Sequence, residues 1–217
     1  MAQFDLVIFD LDGTLIDSKL DIAHSVNATL AYMGKPPLPN ETVYSYVGHG
    51  APVLIQKVLG GEATEEECAK ALKYFVEYYH EHRVDYTTLY PGAQETIDSF
   101  SDAGVRMAVL TNKPVRISEE IVKDLGVSHH FIRVYGGNTF DEKKPHPIGI
   151  LKLLEETGIS PERTLMVGDT SVDIETAYNA GVGSCGMLYG FKPESLENPR
   201  PQYLLEAFAE LKPIVLG

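Results

Sequence analysis

Residues 7–17 read VIFDLDGTLID. The apolar run Leu6–Phe9 stops at Asp10, and Asp12 follows after a single leucine, with Gly13, Thr14 and Asp17 behind it. A short apolar run closed by turn residues is the pattern of a strand buried on both faces, as in a parallel sheet. The carboxylates at its end pose an electrostatic problem. Two like charges about 4 Å apart repel by roughly 4 kcal/mol at an effective dielectric of 20. Either a cation offsets that repulsion or one carboxyl holds a proton.

Three further runs of the same kind follow at residues 107–110, 132–135 and 165–167, with a weaker one after Gly181. Amphipathic stretches of helical period lie between them, at 92–103, 114–125, 147–157 and 171–180, each stopped by a glycine. Strand–helix alternation of this rhythm predicts an α/β fold with a doubly wound, mainly parallel sheet. Residues 18–88 break the rhythm. They carry helical patterns at 20–33, 41–46, 53–59 and 65–82, with a loop at 34–40 and no strand-like run. The expected organisation is an α/β core from 1–17 and 89–217, with an inserted helical domain at 18–88 and a return hinge at 87–92. Tyr74, Phe75, Tyr78 and Tyr79 recur at helical spacing and are expected to pack that insert. Residues 202–211 read as a last surface helix.

Composition narrows the function. A net charge of −13 over 217 residues, with no basic cluster, excludes a phosphate-backbone binder, so no nucleic-acid partner is expected. No apolar run approaches the roughly 20 residues of a membrane span. The chain runs directly into FDLVIFD without a basic leader, and Cys68 and Cys185 sit in unrelated contexts. A cytoplasmic protein with reduced thiols, unattached to membrane, is the expectation.

In an open α/β sheet, ligands gather at the carboxyl ends of the strands. Here those ends carry Asp10 and Asp12, then Thr111-Asn112-Lys113, then Gly168-Asp169-Thr170 with Asp173 beyond. Lys143 and Lys144 precede the helix at 147–157. Four aspartates in one crevice call for a hard cation, and oxygen ligands with room for water suit Mg²⁺. A lysine and the Thr111 hydroxyl would then hold an anion whose oxygens also reach the metal. One carboxylate can attack a phosphoryl group while a freer one serves as general acid and base. Taken singly, each residue has a plainer reading: Asp12 as a turn or cap residue, Thr111 and Asn112 as strand-end residues, the lysines as solvated charges, Asp173 as a first-turn acid. Their joint occurrence in order favours the chemical reading.

These segments, DLDGT (10–14), TN (111–112), KP (144–145) and GDTSVD (168–173), resemble the four motifs of the haloacid dehalogenase superfamily across essentially the whole chain. The resemblance implies a Rossmann-like core with a helical cap. It implies Asp10 as the nucleophile forming an aspartyl-phosphate, and Asp12 as general acid/base with its carbonyl on Mg²⁺. Thr111 and Lys144 would bind the phosphoryl group with Asn112 beside them, and Asp169 and Asp173 would serve the metal. The acid at position 12 sets the chain apart from the dehalogenases and points to a phosphatase or phosphomutase. Residues 46–59, 89–97 and 110–114 further resemble bacterial phosphoglycolate phosphatases. In that cap type the Gly48-His49-Gly50 loop reaches the active site, which makes His49 the candidate substrate contact.

The implied partner is a small phosphorylated metabolite, and the protein would be a monomer or homodimer. A β-phosphoglucomutase-like mutase, a pyrophosphatase or a nucleotidase are alternatives within the superfamily. A Schiff-base role for Lys57 is weighed against a solvated helix residue, which is favoured. A receiver-like phosphoacceptor is opposed by Asp12 and by the insert.

Overall fold

The computed structural model describes residues 2–217. Strand β1 (Leu6–Phe9) is wholly buried and lies at the centre of a six-stranded sheet. The chain then passes β2 (Ile16–Asp17) into four helices, α1 (Lys19–Tyr32), α2 (Asn40–Tyr44), α3 (Ala51–Leu59) and α4 (Glu65–Glu81), and returns through β3 (Thr88–Leu89). Next come α5 (Ala93–Asp102), β4 (Arg106–Leu110), α6 (Val115–Asp124) and β5 (Phe131–Tyr135). The remainder comprises α7 (Ile148–Thr157), β6 (Thr164–Gly168), α8 (Ser171–Ala180), β7 (Gly183–Met187), β8 (Tyr203–Leu205) and α9 (Leu211–Leu216).

The sheet order is β5-β4-β1-β6-β7-β8, with every pairing parallel. Successive side chains of a strand face opposite ways, and each face of this sheet is covered. Val7 and Phe9 join one apolar cluster with Ile97 and Phe100 of α5, Ile121 of α6 and Leu211 of α9. Leu6 and Ile8 join the other with Ile150 and Leu153 of α7 and Ala177 of α8. The order reverses at β1: the chain proceeds to β4 and β5 on one side, and to β6, β7 and β8 on the other. Such a switch leaves a crevice at the strand ends.

The helical excursion leaves and rejoins the core through one narrow ribbon. Ile16 pairs with Leu89 and Asp17 with Thr88, antiparallel. The buried Asp21 carboxylate, one turn into α1, accepts from the Tyr86 and Thr87 main-chain N–H groups and from the Thr87 hydroxyl. Both ends of the excursion are thereby tied together. Helix α4 begins with a full capping box, Thr64 and Glu67 bonding each other's main-chain N–H.

Two expectations are corrected. Residues 202–211 are not a surface helix: 203–205 form an edge strand on 185–187, and the helix is Leu211–Leu216. The apolar positions 204, 205, 208 and 211 imitate helical spacing, while a three-residue strand is too short to display its own period. The run at 132–135 forms a strand, but at the sheet edge, with Ile132 and Arg133 exposed rather than buried. Cys68 and Cys185 are free thiols. Among the described residues no helix is long and apolar enough to cross a membrane.

Candidate active site

Strands β4, β1 and β6 lie side by side with Phe9 opposite both Val109 and Val167. Their ends therefore deliver Asp10, Thr111 and Asp169 at nearly one level. Helix α8 starts directly afterwards, and its first turn adds Asp173, whose Oδ2 accepts from the Thr170 N–H and hydroxyl. One carboxylate oxygen from each of Asp10, Asp169 and Asp173 lies within 4.8 Å of the others, and all three residues are buried. Asp169 is held in turn by the Phe191 N–H at 2.6 Å and the Thr14 hydroxyl at 3.3 Å.

The tight turn between β1 and β2 makes this packing possible. Gly13 has φ = +83°, and a Cβ there would stand 2.4 Å from Asp169 Oδ2. Only glycine satisfies both the backbone and the approach.

Lys144 reaches the cluster from the segment before α7. Its buried ammonium donates to Asp173 Oδ1 and lies 2.9 Å from Asp10 Oδ1. Burial alone would lower the lysine's pKa, but Asp10 and Asp173 outweigh it and the net shift is upward, so Lys144 is a fixed cation. One cation does not balance three carboxylates. Burial, with Asp173 nearby and Lys144 opposing, pushes Asp10 up to about 6. Asp169 is raised well above the usual carboxylate range, by burial first and by Asp173 and Asp10 next. The Lys144 contact to Asp10 Oδ1 lacks hydrogen-bond alignment, and that buried oxygen has no hydrogen-bond partner among the described residues. Surplus negative charge, an unpartnered oxygen and an all-oxygen donor set fit a hard divalent cation.

Asp12 stands in different company. Its carboxylate accepts from Lys113 Nζ at 2.7 and 2.9 Å and from the Ser18 hydroxyl at 2.6 Å. Lys113 also donates to the Tyr79 hydroxyl at 2.6 Å. Asp12 with its partner Lys113 thus joins the core loop after β4, the residue preceding α1 and, through Lys113, helix α4.

Asp10, Asp12, Thr111, Asn112 and Asp169 line a pocket of about 460 Å³ roofed by α3 and α4. Gly48 and Gly50 line it as well, whereas His49 is exposed and not part of the lining; its carbonyl accepts from Lys143 Nζ at 2.8 Å. Both amide protons of Asn112 are engaged, one on the Gly48 carbonyl and one on the Lys144 carbonyl. Asn112 therefore ties the cap loop to the lysine segment. Lys57 sits near the Tyr46 ring, 5.7 Å from its centroid.

Three residues beside Asp12 were not among the site candidates read from the sequence: Ser18, Tyr79 and Lys113. Lys113 follows a strand-end pair and carried a weak signal. Tyr79 looked like ordinary helix packing, and half of that reading holds: Phe75 and Tyr79 are buried, while Tyr74 and Tyr78 stack on the outer side, Tyr74 on Tyr32 at 4.2 Å.

Comparison with known proteins agrees with the geometry. A sequence model of the family described as haloacid dehalogenase-like hydrolase matches residues 7–187. A phosphoglycolate phosphatase of Mannheimia succiniciproducens is 36% identical over 222 residues, covering 99% of both chains. One of Vibrio parahaemolyticus is 37% identical over 224 residues, covering 99% of this chain and 98% of its own. Among solved structures, a predicted phosphoglycolate phosphatase of Haemophilus somnus superposes with a TM-score of 0.93 at 34% identity, covering 99% of each chain. CbbY of Rhodobacter sphaeroides, in complex with phosphate, superposes with a TM-score of 0.82 at 25% identity and 96% coverage of each.

Proposed function

The chain belongs to the haloacid dehalogenase-like hydrolases and is a phosphoric monoester hydrolase; from that premise we propose that it hydrolyses phosphoglycolate, with Mg²⁺ as its cation. The observation that carries the reading is the convergence of buried Asp10, Asp169 and Asp173 around Lys144, with Asp12 two residues from Asp10 on the pocket wall.

Asp10 attacks phosphorus in line, a P–O bond forms, and the bond to the leaving alkoxide breaks while Asp12 supplies its proton. Water then attacks the aspartyl-phosphate, Asp12 takes a proton from it, and orthophosphate leaves with Asp10 restored. Lys144 and the Thr111 hydroxyl hold phosphoryl oxygens, and Asn112 keeps their segment in place through its two carbonyl contacts. Asp10, Asp169 and Asp173, with the Asp12 carbonyl, would hold the cation, which supplies charge to offset the anionic phosphoryl group. The cap, which we assign to residues 18–88, covers the pocket and limits water during the first transfer.

A panel of phosphate monoesters assayed with Mg²⁺ and with chelator tests this. Phosphoglycolate ranking first by kcat/KM, with orthophosphate released and chelator abolishing turnover, is the expected result. Isomerised sugar phosphate without orthophosphate release would overturn it.

A further inference from the structure

The phosphoryl end of the pocket is rich in charge, whereas the rest of the wall is mostly apolar, with Ile22, Leu54, Phe75 and Ile117. A phosphate monoester whose leaving group carries a second anion needs a cation there. Arg116 and His80 also line the pocket, but the Arg116 side chain is 83% exposed and His80 lies 2.7 Å from Glu120. Lys144 stands at the phosphoryl end, beside Asp10 and Asp173.

Lys113 meets the requirement. The residue is 8% exposed, its ammonium stands on the wall beside Asp12, and its charge is shared between Asp12 and Tyr79. Its other partner contributes a second donor. The Tyr79 oxygen accepts from Lys113, the residue is 4% exposed, and its own O–H has no acceptor among the described residues. A buried ammonium and a buried, unspent hydroxyl, 2.6 Å apart on the wall of one pocket, form a two-donor anion site.

We infer that Lys113 and Tyr79 form the subsite that receives a carboxylate on the leaving group of the substrate, making them the residues that select carboxylated phosphate monoesters. This rests on the phosphatase reading above and extends it to specificity. The subsite straddles two bodies, Lys113 on the core and Tyr79 on cap helix α4, so it is complete only when the cap is seated. The carboxylate takes up part of the Lys113 charge otherwise given to Asp12 and the free O–H of Tyr79. A phosphate ester of the same size with an uncharged leaving group leaves both donors as they were and gains nothing from them.

The test compares phosphoglycolate with ethyl phosphate, the same skeleton without the carboxylate, on the Mg²⁺-loaded wild type, Lys113→Met and Tyr79→Phe. Binding is measured in parallel by competition with 3-phosphonopropionate and propylphosphonate, which needs no turnover. The wild-type preference for the carboxylated member of each pair is expected to fall about 30-fold in Lys113→Met and about fivefold in Tyr79→Phe. Tyr79→Phe keeps the ring and the packing, so it decides the matter if Lys113→Met does not fold. A wild type that handles ethyl phosphate as well as phosphoglycolate would overturn both the substrate reading and the subsite. A wild type that prefers phosphoglycolate, with variants that depress both esters by one factor and leave the preference intact, would spare the substrate reading and overturn the subsite. Lys113 would then merely position Asp12.

Discussion

Two aspartate–lysine pairs stand two residues apart in this protein, and they are built in opposite ways. Asp10 and Lys144 lie among groups supplied entirely by the α/β core, with a second carboxylate, Asp173, on the same ammonium. Asp12 and Lys113 lie between core and cap, with Ser18 on one side and Tyr79 on the other. The first pair takes every one of its side-chain partners from the core. The second is complete only with the cap in place. The two aspartates of one turn thus separate a fixed, core-built arrangement from one shared with the cap.

The largest expected effect breaks the fixed site. Asp10→Asn should abolish phosphate release, by at least about 10⁴-fold, while the far-UV circular dichroism spectrum stays that of wild type. Its metal-free form should melt no lower than wild type, because one surplus buried charge has gone. Substantial turnover by a folded Asp10→Asn variant, free of deamidated chain by mass spectrometry, would remove Asp10 from the nucleophile's role.

Next comes the contrast in stability between the two lysines. In chelator, Lys144→Met leaves two buried carboxylates without their cation and should cost about 3–5 kcal/mol. Lys113→Met leaves one carboxylate that keeps the Ser18 hydroxyl, and about 1.5–3 kcal/mol is expected. Denaturant melts of both variants measure the difference. Equal losses would mean the pairs are not built differently after all.

This division also marks what the sequence could reveal. Asp10, Thr111, Asp169 and Asp173 follow short apolar runs or open a helix, so parallel strand order alone predicts their convergence at one edge, and the structure brings them together. Lys144 needed the motif resemblance, because a lysine before a helix looks like a surface charge. Tyr79 meets Lys113 across 34 positions and a chain reversal, and no local pattern encodes such a contact. His49 illustrates the reverse: its flanking glycines line the pocket, while His49 itself is exposed and lies outside that lining. Edge strands such as 203–205 were equally hard to read, because pairing with a neighbour, not their own residues, defines them.

A smaller effect concerns pH. The Asp10 carboxyl, ordinarily near 3.8, is pushed up to about 6 by burial, with Lys144 opposing and Asp173 adding. Between those values the metal-free folded chain holds a proton that the unfolded chain has released. This group's contribution to stability therefore declines as pH rises through that window and stays low above it. Mg²⁺ acts in the opposite sense, since it binds the ionised carboxylates and competes with the proton. Saturating Mg²⁺ should raise Tm by about 3–6 °C more at pH 7.5 than at pH 5. A gain independent of pH would show that the cation does not bind at these carboxylates.

The smallest effect tests how firmly the cap half is held. Arg83 of the segment after α4 reaches Asp124 at the end of α6 at 2.7 Å and Glu120 at 3.7 Å, and His80 lies 2.7 Å from the same Glu120. These pairs bridge cap and core beside the pocket mouth, but they are partly open to solvent, and such bridges contribute about 1 kcal/mol or less. Arg83→Ala should therefore lower Tm only slightly and leave chemistry at Asp10 alone. It should raise KM for phosphoglycolate a fewfold, with the difference from wild type shrinking in 0.5 M salt as screening removes the wild-type advantage. A fall in kcat with unchanged KM would place the cap's hold in the chemical step, and the line drawn between a fixed site and a cap-dependent one would have to move.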